Sequence, residues 1–425
     1  MGRYYDRLRG FALSATAKDT FILFSGNVLS AFLGFVYTLI VARALSVSDF
    51  GVFSAAANLV IILISLTDLG ISTGAVNFVA EKHVLGDKEG ERNYTKASVV
   101  IKILATIAMS LVVVTFAGFI SPRFLATGDI SISWWVAIVS LSLALPMILP
   151  QILQAKRKFF PSIVTDNLLY FSRLVFALGF VFLARLTIGN SLLAYALGGI
   201  VGSITGILLI KPDFLLARPE KNIYQKLIKF SGWIGVNRII SSVSGRLDIQ
   251  MLAYFAGATA TGLYSIPSRL ASFIIVLTSS FSAVLAPRFA GFGDKGKEKK
   301  YLIKSTLALL PITGAIVLWI AVAKPFILLL FGDKYLPSVP VFQALTASMI
   351  PFLFTAPSVT AIIYAMKKTV FIGAFSFFQI AAIFLLNLIL IPKYGPMGPT
   401  ITFGITNTIL AIYTWVIVIR HYWTK

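Results

Sequence analysis

Apolar residues run along this chain in long stretches with little polar alternation. Twelve of them stand out, centred near Phe32, Leu59, Ala108, Leu143, Val175, Gly202, Val243, Ile275, Ala315, Pro351, Leu385 and Leu410. A helix needs about 20 predominantly apolar residues to cross the hydrocarbon layer of a bilayer, so each stretch is predicted to be a transmembrane helix. The fold class is therefore all-α, a polytopic membrane protein of about twelve transmembrane helices. The first stretch, roughly residues 21–41, has the length of a full span and no small-residue cleavage site after it, and reads as a retained helix rather than a signal peptide.

Composition agrees: 58% of the 425 residues are hydrophobic and 12% charged, which excludes a soluble domain, a disordered chain and a peripheral protein with one anchor. Positive charge sorts by side. With the amino terminus inside, inner segments carry 26 Lys and Arg, outer loops 6, and 5 fall within spans. Because inner loops retain positive charge, both termini are expected to be cytoplasmic, in the cell (plasma) membrane. The net charge of +21 is then a topology signal and not the mark of a nucleic-acid partner. Cysteine is absent, and His83 and His421 lie outside the spans. No catalytic residue, metal site or enzyme activity is expected.

The chain resembles itself at a separation of 206 to 211 residues. Phe24-Ser25-Gly26 opens the first span and Phe230-Ser231-Gly232 the seventh; Asp49-Phe50-Gly51-Val52-Phe53-Ser54 recurs in outline as Thr261-Gly262-Leu263-Tyr264-Ser265. Gly86-Asp87-Lys88 with Tyr94 recurs as Gly293-Asp294-Lys295 with Tyr301. Duplication predicts two six-helix bundles, residues 1–210 and 230–425, joined by a cytoplasmic linker over 211–229. An even number of spans per half relates the bundles by a pseudo-two-fold axis along the membrane normal. Transporters of that design hold substrate in a central cleft and expose it to each side in turn.

Ionisable side chains at bilayer depth rarely face lipid and usually mark a polar path. Arg173 lies 14 residues past Phe159, about 21 Å along a helix at roughly 1.5 Å per residue, and Arg246 is equally far past Gly232. Asp248 and Arg269 come out at comparable depth and are candidates for a pair. Asp166 and Arg238 fall in the inner third and could pair likewise, and Lys102 is read as snorkelling from the inner end of the third span. The four arginines, 173, 238, 246 and 269, against Asp166 and Asp248 make the interior net positive, which suits an anion. A guanidinium matches phosphate or carboxylate oxygens with a planar fork. Arg173 and Arg246 lead the candidate cavity ligands; structural ion pairing is the competing reading. Asn237 and Gln250 add amides suited to sugar hydroxyls, and interhelical hydrogen bonding suits them equally.

Asp68, in Thr67-Asp68-Leu69-Gly70, marks a helix pause or cap near the inner boundary. Arg43 and Asp49 flank a short outer turn as a helix carboxyl end and an amino cap, with a gating role as the alternative. Pro267, Pro351 and Pro357 interrupt spans and are candidate hinges.

These residues resemble a known family, the polysaccharide or oligosaccharide flippases of the superfamily that also contains the multidrug and toxic-compound extrusion transporters. Val41-Ala42-Arg43-Ala44-Leu45, followed by Ser48-Asp49-Phe50-Gly51-Val52-Phe53, is similar to that family's first turn, and Asp68-Leu69-Gly70 to the acidic-x-glycine after it. Leu329-Leu330-Phe331-Gly332 with Tyr335, and Ile391-Pro392 with Tyr394-Gly395 and Gly398, look like its later landmarks. The resemblance runs from about Thr20 to Gly404. It implies a flippase that carries an oligosaccharide on a polyprenyl phosphate or diphosphate to the outer leaflet. Its expected partners are that anionic lipid-linked oligosaccharide, membrane lipids and the enzymes that assemble the glycan. It implies no cofactor and leaves open a coupling ion, Na⁺ or H⁺. Two relatives compete: a cation-coupled multidrug extruder, for which a dominant carboxylate site is expected, and a peptidoglycan-precursor lipid flippase, which usually has two more helices.

Overall fold

A computed structural model of the chain describes residues 15–183 and 186–423, with the side chains of residues 15–17, Asn237 and Ser241 outside that description. No strand occurs among the described residues. The chain divides into two compact units, and the division falls between Arg246 and Leu247. The first unit holds α1 (Ala15–Ala44), α2 (Val47–Leu66), α3 (Ile71–Val84), α4 (Lys88–Thr115), α5 (Ala117–Phe124), α6 (Ser131–Leu143), α7 (Leu149–Ala155), α8 (Phe159–Phe182), α9 (Ile188–Ile210) and α10 (Lys221–Ser244). The second holds α11 (Leu247–Gly291), α12 (Lys295–Leu307), α13 (Leu310–Ala321), α14 (Ala323–Phe331), α15 (Ser338–Thr360), α16 (Thr369–Tyr394) and α17 (Met397–Trp423).

Ten helical stretches of the described chain are long and apolar enough to cross a membrane. The fourth and seventh of the twelve predicted spans are not among them. In the fourth, α6 is only 13 residues long, because the chain turns through residues 144–148, around Pro146, before α7 begins. The seventh breaks at Gly245 and Arg246, and its second part is merged into the 45-residue α11 across Gly257, whose φ of 78° and ψ of −176° are not helical. The Tyr264 hydroxyl reaches the Asp248 carboxylate at 2.6 Å, 16 residues away. A straight helix would separate them by about 24 Å, so the chain doubles back at Gly257.

The two turns matched by the repeat fold alike, as the repeat predicts. Asp87 caps α4 by accepting from the Gly90 N–H at 2.8 Å, and Asp294 caps α12 by accepting from the Lys297 N–H at 2.9 Å. Tyr94 stacks on Phe78 with centroids 4.8 Å apart; Tyr301 meets Phe289 edge-on at 5.1 Å. At the turn between α1 and α2 the amino cap of α2 is Ser46, not Asp49. Ser46 accepts from the Asp49 N–H at 3.1 Å and donates to the Asp49 carboxylate at 2.8 Å, which puts the acid one turn inside the helix, where it complements the positive end of the dipole.

Residues 211–229 do not trail free of the first unit. Arg92 holds Asp213 at 2.6 Å, the Lys96 ammonium donates to the Leu215 and Ala217 carbonyls at 2.7 and 2.8 Å, and Phe214 is buried. The linker delivers α10, which the repeat groups with the second half, onto α2, α3 and α4 of the first unit.

Small residues set the closest helix contacts, as expected where lipid supplies no hydrophobic drive between helices. Along α1, Gly26, Ser30 and Gly34 face Ile163, Asn167 and Tyr170 of α8, with the Ser30 hydroxyl on the Asn167 amide oxygen at 2.6 Å. A Cβ at Gly26 would collide with the Ile163 side chain. In the second unit α15 packs along α17 and α11. Beyond Pro351 and Pro357 it runs into a π-helical segment, Ala361–Ala365.

Candidate functional site

The second span is two helices. α2 ends at Leu66, Leu69 and Gly70 adopt left-handed φ values of 46° and 74°, and α3 starts at Ile71. Gly70 needs its missing Cβ twice over, for its dihedral and because that atom would lie 2.5 Å from the Ser231 carbonyl of α10. Reciprocally, a Cβ on Gly235 would meet the Leu69 carbonyl carbon at 2.5 Å. Backbone thus rests on backbone where α10 crosses the break.

Ending a helix leaves its last carbonyls without partners inside it. Lys102 of α4, with no exposed side-chain surface, takes up one of them. Its ammonium donates to the Ile64 carbonyl at 2.7 Å and to the Thr67 hydroxyl at 3.3 Å, and lies 3.8 Å from the Asp68 carboxylate. Ser72 donates to the same Asp68 oxygen. The other oxygen accepts from Arg238 Nη1 of α10 at 3.1 Å. Lys102 therefore does not snorkel. It is a buried cation fixed by a carbonyl and a shared carboxylate.

These groups border a cavity of about 630 Å³ within the first unit, whose polar lining is Ser65, Asp68, Lys102, Gln151, Arg238 and Ser242. Ser242 donates to Ser65 at 2.7 Å, and Gln151 returns its amide to the Met147 carbonyl at 3.0 Å. Two cations face one carboxylate, so the site is net positive. The Arg238 side chain is 46% exposed, against 11% for Asp68. A guanidinium has five donors; one N–H of Arg238 is engaged by Asp68, and the others are open to a ligand entering the cavity. Chemically, an exposed guanidinium fork over a buried ammonium can hold an oxyanion.

The other predicted residues spread through both units. Arg238 meets Asp68, not Asp166, because α10 presents it to the α2–α3 break; Asp166, half-buried on α8, makes no hydrogen bond or ion pair among the described residues. The side chain of Asn237 is outside the described residues. Arg173 is 4% exposed and is boxed by tyrosine rings, 3.3 Å from the Tyr195 centroid, 5.0 Å from Tyr170 and 5.7 Å from Tyr37. Arg246 and Asn58 exchange two contacts, Nη1 to Oδ1 at 3.3 Å and Nδ2 to the Arg246 carbonyl at 3.0 Å. In the second unit Asp248 accepts from Tyr264, Gln250 is buried on the same helix, and Arg269 is half-buried further along it. Arg43 ends α1, exposed. Pro267 is buried within α11. Lys102, Ser65, Gln151 and Ser242 were not singled out from the sequence as site residues. The one signal for them was a lysine and an aspartate sharing the apolar stretches of consecutive spans.

Residues 16–292 match the model of a family described as polysaccharide biosynthesis protein. A putative O-antigen transporter of Shigella flexneri is 23% identical over 185 residues, 43% of this chain and 44% of that protein, so the match spans less than half of that relative's length. Among solved structures, the lipid II flippase MurJ in an inward closed conformation superposes with a TM-score of 0.75 at 15% identity, covering 94% of this chain and 87% of that one. An inward-facing multidrug resistance transporter of the MATE family, in the MOP superfamily, superposes with a TM-score of 0.72 at 14% identity, covering 91% and 93%. At such identities the likeness establishes the fold.

Proposed function

We propose, given that the chain belongs to the polysaccharide biosynthesis protein family, that it flips a polyprenyl phosphate- or diphosphate-linked oligosaccharide from the inner to the outer leaflet by alternating access. The chain is a multi-pass membrane protein with the fold of the MOP superfamily, and a transporter is the function that this fold and the family support. The finer reading is supported by one observation above the others: the net positive cavity at the α2–α3 break, where Arg238 keeps open donors beside the buried Lys102. Phosphate oxygens are what a guanidinium fork and an ammonium recognise together. The relatives point the same way, one being called an O-antigen transporter and one a lipid II flippase. In this reading the membrane is the plasma membrane and both termini are cytoplasmic.

A cation-coupled drug extruder would need an anionic cavity, and here cations outnumber the carboxylate. The test is reconstitution in liposomes. A fluorescent short-chain lipid diphosphate bearing a sugar is expected to cross between leaflets only with protein present. Gradient-driven uptake of an organic cation, with no movement of the lipid diphosphate, would overturn the reading.

A further inference from the structure

The second unit contains a cavity of about 470 Å³ between α11, the α15 segment with its π-helical end, and α16, well inside the roughly 300–1,000 Å³ typical of small-molecule sites. No charged side chain lines it. Its wall combines the aromatic faces of Phe352, Phe375 and Tyr364 with the hydroxyls of Ser282 and Thr355 and the amide of Gln379.

Two features mark it as built rather than left over. The π-helical segment Ala361–Ala365 supplies two of the lining residues, Ile363 and Tyr364. Such segments are rare and are frequently found at functional sites. Second, three of the lining polar groups are held in reserve. Thr355, like Thr278, Ser279, Thr360 and Ser376, bonds back to its own helix, at 2.6 Å to the Phe352 carbonyl. Gln379, Ser282 and Tyr364 have no hydrogen-bond partner among the described residues. A hydrocarbon tail would leave Gln379, Ser282 and Tyr364 without partners, and an ionic headgroup would find no counter-charge. Aromatic faces with uncharged donors and acceptors suit a ring that is apolar on its faces and hydroxylated at its rim.

We infer that this chamber binds an uncharged sugar residue of the transported molecule, separately from the oxyanion site of the first unit. The inference rests on the flippase reading and adds the place where the glycan is recognised.

The test is equilibrium binding to the full-length protein in nanodiscs with two probes, farnesyl diphosphate and farnesyl diphosphate bearing one N-acetylglucosamine. Wild type is expected to bind the glycosylated probe more tightly. Gln379→Leu and Ser282→Ala, each removing one uncharged hydrogen-bonding group, are each expected to weaken the glycosylated probe about three- to tenfold and to leave the bare diphosphate within twofold. Unchanged melting temperatures establish that the variants are folded, and two sites of substitution guard against one misfolding. Equal binding of both probes by wild type, or no effect of either substitution, refutes the sugar site while leaving the flippase reading standing. Equal weakening of both probes refutes it too and assigns the chamber to the prenyl tail. Wild type that binds neither probe overturns the flippase reading and this inference with it.

Discussion

Lys102 donates to the Ile64 carbonyl at 2.7 Å with none of its side chain exposed. The contact ties the interruption of the second span to the charge of the cavity, since one ammonium serves both. Lys102→Met would keep most of the volume and remove the donor. A buried carbonyl left without a partner costs about 1–3 kcal/mol, and Thr67 and Asp68 would lose a neighbour as well. A clear drop in thermal stability is expected, read by unfolding in detergent. An unchanged melting temperature would mean that the break is held by other contacts.

Contact between α10 and the break allows a matched pair of substitutions three residues apart. A methyl group on Gly235 would lie 2.5 Å from the Leu69 carbonyl carbon, whereas one on Gly232 meets nothing within 4 Å. Overpacking of this kind costs typically about 1–3 kcal/mol. Gly235→Ala should lower both stability and transport, and Gly232→Ala should leave both near wild type. Equal behaviour of the two variants would show that α10 does not rest on the break.

Arg173 offers a different test, because its guanidinium lies 3.3 Å from the centroid of the Tyr195 ring. Face contacts of this type are worth from about 0.5 kcal/mol to 2 or more when desolvated. Tyr195→Phe retains the ring and should be tolerated; Tyr195→Leu should destabilise the first unit. Thermal unfolding of the two variants side by side checks it, and equal losses would point to the hydroxyl instead.

At the turn between α3 and α4, the Gly90 N–H, and after it the Lys82 side chain, hold the Asp87 carboxyl below the usual carboxylate range. A depressed folded-state pKa means that the carboxylate contributes stability at pH above its unfolded value, about 3.9, and loses it as pH falls through the lower folded value. Asp87→Asn keeps a capping oxygen and removes the charge. The wild-type advantage in melting temperature over this variant should be present at neutral pH and shrink to nothing in acid. A gap that persists at pH 2 would assign the effect to geometry and not to charge.

Much of the architecture was legible because lipid forces it. Long apolar stretches must be helices, and duplicated turns such as Asp87 and Asp294 repeat their caps because the local hydrogen bonding is self-contained. The pause at Asp68 was legible too, from a glycine two residues later that a turn can use. Pairing was not. Depth along a helix follows from counting residues, which put Arg238 level with Asp166, but the direction in which a side chain points depends on which helix lies alongside, and α10 lies on α2, α3 and α4. Lys102 was misread for a related reason. α4 begins at Lys88, so the lysine is fourteen residues into the helix, and its ammonium turns onto the end of α2. Ser65 and Ser242 carry no signal at all until two helices meet.

The most direct test of the oxyanion site is the rate at which a sugar-bearing lipid diphosphate crosses a reconstituted bilayer with Arg238 replaced. Arg238→Gln is expected to cut that rate at least about tenfold, the scale of one charge-assisted hydrogen bond, and Arg238→Lys to fall between it and wild type because an ammonium cannot present the planar fork. Gly232→Ala, measured alongside, should match wild type. Translocation by Arg238→Gln at the wild-type rate would contradict the account.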